Sequence, residues 1–252
     1  MSPLAQHWPY PRWIAHRGAG TLAPENTLAA FALGASHGYR MFECDVKLSA
    51  DDVAFLLHDD TLARTTDGSG VAGTLPWATL AHLDAGSWHS EQHAGQRLPR
   101  LDQLARFCLQ SGYLLNLEIK PTPGTERHTG TVVAREVARL WAVHTHGATP
   151  PLLSSFSREA LAAARTAQPT LPRALLLSEL APDWCQAALA LQCVAVICQH
   201  RLWNAQVVEQ ARSGGLRCLT YTVNEESEAQ RLLDLGLDGI ITDRVDVFQP
   251  DA

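Results

Sequence analysis

Residues 217–242, RCLTYTVNEESEAQRLLDLGLDGIIT, hold a strand–helix–strand unit that indicates the fold class. Arg217–Val223 has the β-branched and aromatic content of a strand, and Glu225–Leu235 has apolar residues at helical spacing before Gly236. Asp238–Thr242 follows as a second strand. Because two parallel strands need a crossover between them, usually a helix, this order predicts a parallel sheet with helices on its outside.

The same alternation is predicted over most of the chain. Six more strands are expected at Trp13–His16, Met41–Val46, Tyr113–Ile119, Pro151–Ser155, Arg173–Leu177 and Val194–Cys198. Further helices are expected at Thr27–His37, with Asn26 as its N-cap, and at Leu101–Gln110, Arg127–Trp141, Arg158–Ala167, Asp183–Leu191 and Asn204–Ser213. Eight such strands in 252 residues predict an α/β fold, a (β/α)₈ TIM barrel. A doubly wound open sheet is the alternative, and it is disfavoured because no GxGxxG motif follows the first strand.

Val53–His58 is a further strand-like run that interrupts the alternation. The linker before it, Lys47–Asp52, is too short for a crossover helix, so we expect an antiparallel return beside the second strand. Residues from about 60 to 100 are rich in Gly, His, Ser and Thr and are expected to form a small insertion on the barrel face. We therefore expect one catalytic barrel domain over residues 1–252, with the insertion inside it.

The composition is that of a globular protein without a nucleic-acid partner. A net charge of −6 and a pI near 6.0 give no general attraction to nucleic acid or to an anionic membrane. The six cysteines form no CxxC pair, which is typical of reduced thiols rather than of a zinc ribbon. Met1–Arg12 contains three prolines and lacks the apolar run of a signal peptide, and no apolar stretch is long enough to span a membrane. These features predict a cytoplasmic protein without a membrane anchor.

Three carboxylates are expected to meet at one end of the barrel. Active sites of such barrels lie at the carboxyl ends of the strands, and polar residues recur there: His16, Arg17, Glu43, Asp45, Glu118, Lys120, Asn224 and Asp243. Glu43 and Asp45 are two residues apart on one strand and therefore point to the same side. A single Glu-x-Asp pair is more often a solvated surface feature. With Glu118 beside it, the pair would need a cation to offset repulsion, and these oxygen ligands favour Mg²⁺ or Ca²⁺ over zinc.

Two histidines are candidates for proton transfer. His16 ends the first strand, and His58 follows the apolar run before Asp59 and Asp60. An imidazole changes its charge near neutral pH, so a pair of them can serve as general acid and general base. The alternative is that both side chains only form hydrogen bonds with their loops.

Positive and aromatic side chains accompany these groups. Arg17 can bind a phosphate through two parallel hydrogen bonds, and Lys120 can act as a point charge. The alternative is that both cations only offset the neighbouring carboxylates, and the two interpretations are compatible. Phe156 and Tyr221 lie at predicted strand ends, where they could line a pocket for a polyol or alcohol or simply pack at the rim.

The motifs occur in an order that resembles the glycerophosphodiester phosphodiesterases. The matching segments run from residue 14 to residue 243: Ile14–Gly18 (IAHRG), Pro24–Thr27 (PENT), Phe42–Val46 (FECDV), His58–Asp59 with Leu62, Arg64, Thr65 and Thr66, Leu117–Pro121 (LEIKP), Ser154–Phe156, Thr222–Asn224 and Asp238–Asp243. The first five segments in this order are a specific combination, whereas an isolated HRG motif would be a weak one.

The resemblance implies an activity and a set of roles. It implies a (β/α)₈ barrel that cleaves glycerophosphodiesters to sn-glycerol 3-phosphate and an alcohol, through a cyclic phosphate formed by the glycerol 2-hydroxyl. Glu43, Asp45 and Glu118 would bind the divalent cation. His16 and His58 would be the acid and the base, in an order that the resemblance leaves open. The substrate-binding residues would be Arg17, Lys120, Phe156 and Tyr221.

Some positions depart from the family pattern. Ser49–Asp52 replaces the usual Thr-x-Asp-Gly turn, and Tyr221 stands where many members have tryptophan. Neither change removes a catalytic group. Three other interpretations remain: a phosphodiesterase of the same superfamily that acts on lysophospholipids or phosphoinositides, a non-catalytic barrel that binds phosphorylated metabolites, and a metal-dependent aldolase or isomerase.

Overall fold

A closed barrel of parallel strands forms the centre of the molecule. The computed structural model describes residues 8–142 and 147–250. Its strands are β1 (Trp13–Ala15), β2 (Met41–Leu48), β3 (Ala54–Leu56), β4 (Leu114–Ile119), β5 (Leu152–Ser155), β6 (Arg173–Leu177), β7 (Ala195–Gln199), β8 (Arg217–Tyr221) and β9 (Gly239–Thr242). All but β3 pair in parallel with their neighbours, and β1 closes the ring by pairing with both β2 and β9. The predicted (β/α)₈ barrel is confirmed.

Helices follow the strands as the alternation predicts. They are α1 (Leu28–Ser36), α2 (Trp77–Leu80), α3 (Leu101–Ser111), α4 (Glu126–Ala142), α5 (Arg158–Ala167), α6 (Trp184–Ala190), α7 (Ala205–Ser213) and α8 (Glu226–Asp234). The prediction that Asn26 caps α1 is wrong. Thr27 is the cap, and its Oγ1 accepts from the Ala30 N–H at 3.2 Å. Asn26 instead adopts a left-handed conformation, with φ 60°, and its side chain forms hydrogen bonds with Asp45 on β2.

The strands bury both of their faces, which is why they read as near-continuous apolar runs. Outward residues such as Phe42, Cys44 and Leu117 pack against the helices in the larger apolar cluster. Inward residues such as Met41 and Leu176 fill the barrel interior in a second cluster. Cys44 therefore points toward the helices, as its spacing predicts, and all six cysteines are buried and unpaired.

The hairpin predicted after the second strand is present. β2 and β3 pair antiparallel, with Val46 opposite Leu56. β2 extends to Leu48 and β3 begins at Ala54, so Lys47 belongs to the strand and the linker is residues 49–53. Asp52 in the turn has φ 62°, a conformation that favours the glycine found there in the family pattern.

The segment between β3 and α3 packs around a small apolar cluster of its own. It contains the short helix α2 and two 3₁₀ turns, and a third apolar cluster that includes Leu57, Leu62, Leu80 and Leu98 holds it together. Among the described helices, none has the length and apolar character to cross a membrane. Residues 1–7, on which the signal-peptide prediction partly depends, lie outside the described residues.

Candidate active site

A pocket of about 190 Å³ opens at the carboxyl ends of the barrel strands. It is lined by His16, Arg17, Glu43, His58, Asn116, Glu118, Lys120, Phe156, Leu176, Tyr221, Thr222 and Ile241. Eight of the nine site residues predicted from sequence are on this wall, and the ninth, Asp45, lies beside Glu43 and Glu118. The fold thus brings all the predicted site residues together in one place.

Three carboxylates converge at the pocket. Glu43 and Asp45 project from the same face of β2, and Glu118 projects from β4 in register with Asp45. One oxygen from each lies within 4.8 Å of the others, and all three side chains are buried. These are hard oxygen ligands in a compact group, which suits Mg²⁺ or Ca²⁺ better than a softer ion.

The pKa values of the three carboxyl groups are shifted in different directions. Burial raises the pKa of Glu43, and the charges of Asp45 and Glu118 raise it further. Burial also raises the pKa of Glu118, and Asp45 again adds to the effect. Burial acts upward on Asp45 too, but the charges of Arg17 and Lys120 outweigh it and leave the pKa of Asp45 below its usual value. Buried carboxylates that repel one another in this way fit the requirements of a divalent cation, whose charge would offset them.

A turn after β1 and a second loop support the carboxylates. Arg17 has φ 49°, and Gly18 has φ 101° at a point where a Cβ atom would lie 2.8 Å from Ala30. Only glycine fits that close approach to α1, which explains the glycine of the HRG motif. Asn26 donates through Nδ2 to Asp45 Oδ2 at 2.9 Å and accepts from the Asp45 N–H at 3.1 Å. The PENT loop therefore orients Asp45.

The ring of His16 is oriented by a hydrogen bond with the Asp243 carboxylate. Its Nδ1 lies 2.6 Å from Asp243 Oδ1, and the other oxygen of Asp243 accepts from Asn224 Nδ2 at 2.8 Å. Asn224 Oδ1 also accepts from the Asp243 N–H at 3.0 Å. The second ring nitrogen, Nε2, is left on the pocket side, 3.7 Å from Glu43 Oε2. Asn224 and Asp243, which the sequence places at strand ends, thus position His16.

His58 is held in the same manner by the residue that follows it. Its Nδ1 lies 2.7 Å from Asp59 Oδ1. Arg64 donates to both oxygens of Asp59, at 2.6 and 3.0 Å, and to both oxygens of Glu25, at 2.7 Å. Glu25 accepts from Arg17 Nη1 at 2.9 Å. A continuous set of charge-assisted hydrogen bonds therefore connects His58 with Arg17 beside the pocket.

The two predicted phosphate-binding cations lie against the carboxylates. The backbone N–H of Arg17 donates to Glu43 Oε2 at 3.1 Å, and the side-chain Nε of Arg17 lies 3.2 Å from Asp45 Oδ2. Lys120 Nζ lies 3.0 Å from Glu118 Oε1 and 3.6 Å from Asp45 Oδ1. Both cations thus offset the carboxylates, and both also line the pocket, while phosphate binding by these side chains stays a prediction.

Phe156 and Tyr221 form an aromatic edge at the outer wall. Their ring centres are 5.8 Å apart at an angle of 84°, and Phe156 is 42% exposed. The Tyr221 hydroxyl donates to the Leu177 carbonyl at 3.2 Å. Burial raises the pKa of Tyr221 to about 12, so this hydroxyl stays protonated at neutral pH. Contact of this edge with the alcohol part of a substrate stays a prediction.

Comparisons with known proteins show the family of this chain. A family model described as the glycerophosphoryl diester phosphodiesterase family matches residues 16–247. The chain belongs to this family. YhdW of Bacillus subtilis is 32% identical over 95% of this chain and 97% of its own length. A glycerophosphodiester phosphodiesterase of the same organism is 30% identical over 93% and 84%.

A solved protein structure is also similar to this chain. It is a phosphodiesterase of Oleispira antarctica in complex with the product sn-glycerol-3-phosphate. It is 35% identical and superposes with a TM-score of 0.86, covering 92% of this chain and 93% of that one. The barrel and its family are therefore established for this chain.

Two residues beside the phosphodiesterase site are absent from the sequence-based prediction. Lys47 is fully buried, and its Nζ donates to Asp60 Oδ1 at 2.6 Å. Asn116 lies on β4 two residues before Glu118 and lines the pocket. The two-residue spacing of a strand was the available signal, because it places Asn116 on the same face as Glu118 and Lys47 on the same face as Asp45.

Proposed function

We propose that this chain hydrolyses glycerophosphodiesters to sn-glycerol 3-phosphate and an alcohol with the help of a divalent cation. The observation that carries the proposal is the convergence of Glu43, Asp45 and Glu118 in a pocket that His16 and His58 also line. A Mg²⁺ or Ca²⁺ ion held by these carboxylates would supply a Lewis acid that stabilises negative charge on the phosphate. The family membership and the product bound in the Oleispira protein support this reaction class.

The two cations would bind the phosphodiester. Arg17 offers guanidinium N–H groups and Lys120 an ammonium group on the pocket wall. Their ion pairs with Asp45 and Glu118 keep the side chains in place before substrate arrives. Positioned charges of this kind stabilise the charge that develops on the phosphate oxygens without reorganising in the transition state.

The histidines would move the protons. In the proposed reaction the glycerol 2-hydroxyl attacks phosphorus, the bond to the alcohol breaks, and water then opens the cyclic phosphate. His58 would take the proton of the 2-hydroxyl, and His16 would give a proton to the leaving oxygen. In the second step His16 would take a proton from water, and His58 would return one to the 2-oxygen. Asp59 and Asp243 fix the two rings through Nδ1, so Nε2 is the nitrogen available in each.

The assignment of His58 as the first base is supported by its surroundings. Burial lowers the pKa of His58, and the positive charges of Arg17 and Lys120 lower it further against the opposing effect of Asp45 and Asp59. The pKa of His58 therefore lies below the value of 6.5 for a free imidazole, and the ring is mostly neutral at pH 7. A neutral ring is the form that can accept a proton.

The acid limb of the pH–rate profile tests this assignment. We expect kcat/KM to be constant near neutral pH and to fall as the pH drops through a pKa below 6.5, because His58 becomes protonated. Asp59→Asn removes a carboxylate that raises the pKa of His58, so the limb should move to lower pH. Glu136→Gln on the outer helix α4 serves as the control and should leave the limb in place. A limb that moves to higher pH in Asp59→Asn would contradict the assignment.

Release of glycerol 3-phosphate is the test of the proposed function. The purified protein is incubated with glycerophosphocholine or glycerophosphoethanolamine in EDTA, and then with Mg²⁺ or Ca²⁺ restored. We expect release only with a metal ion, and the ratio of rates with the two ions identifies the preferred one. Release that persists in EDTA would contradict the metal requirement. Stoichiometric binding without turnover would indicate a phosphometabolite-binding protein instead.

The proposal includes a cytoplasmic location. Six cysteines that are buried and unpaired support it, because oxidising compartments favour disulfides. Fractionation of the native cells with detection of this chain would test the location.

A further inference from the structure

We infer that Asn116 recognises the terminal hydroxyl of the substrate's glycerol moiety, so that the enzyme prefers glycerophosphodiesters with this hydroxyl free over their acylated counterparts. The inference rests on the proposed function and concerns the substrate class of the same site. It assigns a substrate-binding role to a residue that carries no charge and lies outside the motifs.

The side chain of Asn116 is buried and unpaired. It is 1% exposed, and within the described residues neither Nδ2 nor Oδ1 has a hydrogen-bond partner. A buried polar group without a partner is rare in folded proteins, because it loses its hydrogen bonds to water without replacement. Asn116 nevertheless lines the active-site pocket, so a ligand bound there would lie against this side chain.

The position of Asn116 is the floor of the pocket. It pairs in register with Glu43, and it lies two residues before Glu118 on the same inward face of β4. The pocket is also bounded by the apolar side chains of Leu176 and Ile241, which belong to the cluster that fills the barrel interior. The Asn116 carboxamide therefore lies where the polar mouth of the pocket meets the apolar interior of the barrel.

The direction of the substrate follows from the other contacts. The phosphate belongs near Arg17 and Lys120, and the variable alcohol must face the open side, where Phe156 is exposed. The glycerol moiety is then directed inward. The terminal hydroxyl of the glycerol can donate a hydrogen bond to Oδ1 of Asn116 or accept one from Nδ2. It would therefore supply a hydrogen-bond partner that the carboxamide lacks.

The same geometry disfavours an acylated glycerol. An acyl ester at the terminal position removes the hydroxyl donor and adds a long chain, and the pocket of about 190 Å³ has a closed floor below Asn116. A site that hydrogen-bonds a hydroxyl discriminates strongly against an analogue that lacks it, since the buried partner is left unpaired. This argues against the lysophospholipid alternative.

The test compares two substrates in three proteins, the wild type, one variant and one matched control. The substrates are glycerophosphocholine and its 1-deoxy analogue, the phosphocholine ester of propane-1,2-diol, which keeps the 2-hydroxyl. The variant is Asn116→Leu, with Leu176→Met as a matched change of shape on the same floor. For the wild type we expect kcat/KM to be about 10- to 100-fold higher with glycerophosphocholine. In Asn116→Leu this ratio should fall to near one, while Leu176→Met should retain it.

Two further readouts separate recognition from a structural role. Asn116→Leu should leave the thermal midpoint unchanged or higher, because an unpaired polar group is replaced by an apolar one of similar volume. The concentration of metal ion needed for half-maximal activity should also stay unchanged. The inference would be overturned if Asn116→Leu lowered kcat/KM equally on both substrates, or lowered it on neither. If the wild type cleaves none of these substrates with any metal ion, the proposed function itself fails; if it cleaves lysophosphatidylcholine better than glycerophosphocholine, only the specificity is wrong.

Discussion

Glu43→Gln is expected to lower kcat/KM about 10³-fold and, in EDTA, to make the protein more stable than the wild type. The loss of activity follows because an amide is a poor ligand for a divalent cation, whose contribution to phosphate chemistry is worth several kcal/mol. The gain in stability follows because Glu43 is buried beside Asp45 and Glu118, and burial and both neighbours raise the pKa of Glu43. Gln keeps an oxygen that can accept from the Arg17 N–H.

Thermal unfolding with and without metal ion measures both effects. A gain of about 1 kcal/mol corresponds to roughly 2–4 °C in Tm for a protein of this size. Added Mg²⁺ or Ca²⁺ should stabilise the wild type, by about 2.7 kcal/mol at a hundredfold excess over Kd, and the variant much less. Glu136→Gln on α4 provides an acidic-to-amide control away from the site. A variant with lower Tm in EDTA and an unchanged response to metal would show that Glu43 is a structural residue.

Short-range patterns predict much of this molecule because the barrel is built from repeated local units. Strand and helix alternation identifies the eight parallel strands, and strand spacing places Glu43 beside Asp45 on one face. The hairpin after β2 follows from a linker too short for a helix. These features depend on neighbours in the sequence, and so the sequence reveals them.

The parts that sequence reasoning missed depend on long-range contacts. Asn26 has the chemistry of a helix cap, but its side chain forms one hydrogen bond with the Asp45 carboxylate and one with the Asp45 backbone N–H, and Thr27 is the cap instead. Lys47 is predicted to begin a linker, yet it belongs to β2, where its buried Nζ donates to Asp60 beyond the hairpin. Strand spacing places Asn116 on the same face as Glu118, but its lack of a hydrogen-bond partner depends on the residues that surround it in the pocket. The family resemblance supplies motifs but does not supply these partners.

A change of leaving group should separate the roles of the two histidines. On glycerophosphocholine, both His16→Ala and His58→Ala are expected to lower kcat by about 10²–10⁴-fold, the usual contribution of a positioned acid or base. On a glycerophosphodiester of p-nitrophenol, the leaving oxygen needs no proton. Release of p-nitrophenol by His16→Ala should then approach the wild-type rate, whereas His58→Ala should remain impaired because the 2-hydroxyl still needs a base.

The structure provides a reason for expecting this difference and a control for it. His58 is the ring whose pKa burial lowers, so it is available as a base in the first step, and p-nitrophenol release reports that step alone. Asp243→Asn keeps His16 but changes the hydrogen-bond partner of its Nδ1. On both substrates we therefore expect the same changes in rate as for His16→Ala, but smaller ones. If His58→Ala is the variant rescued by p-nitrophenol, the two roles are reversed. If neither is rescued, the leaving alcohol is protonated by another group, and the position of His16 beside Glu43 would then indicate a role in binding.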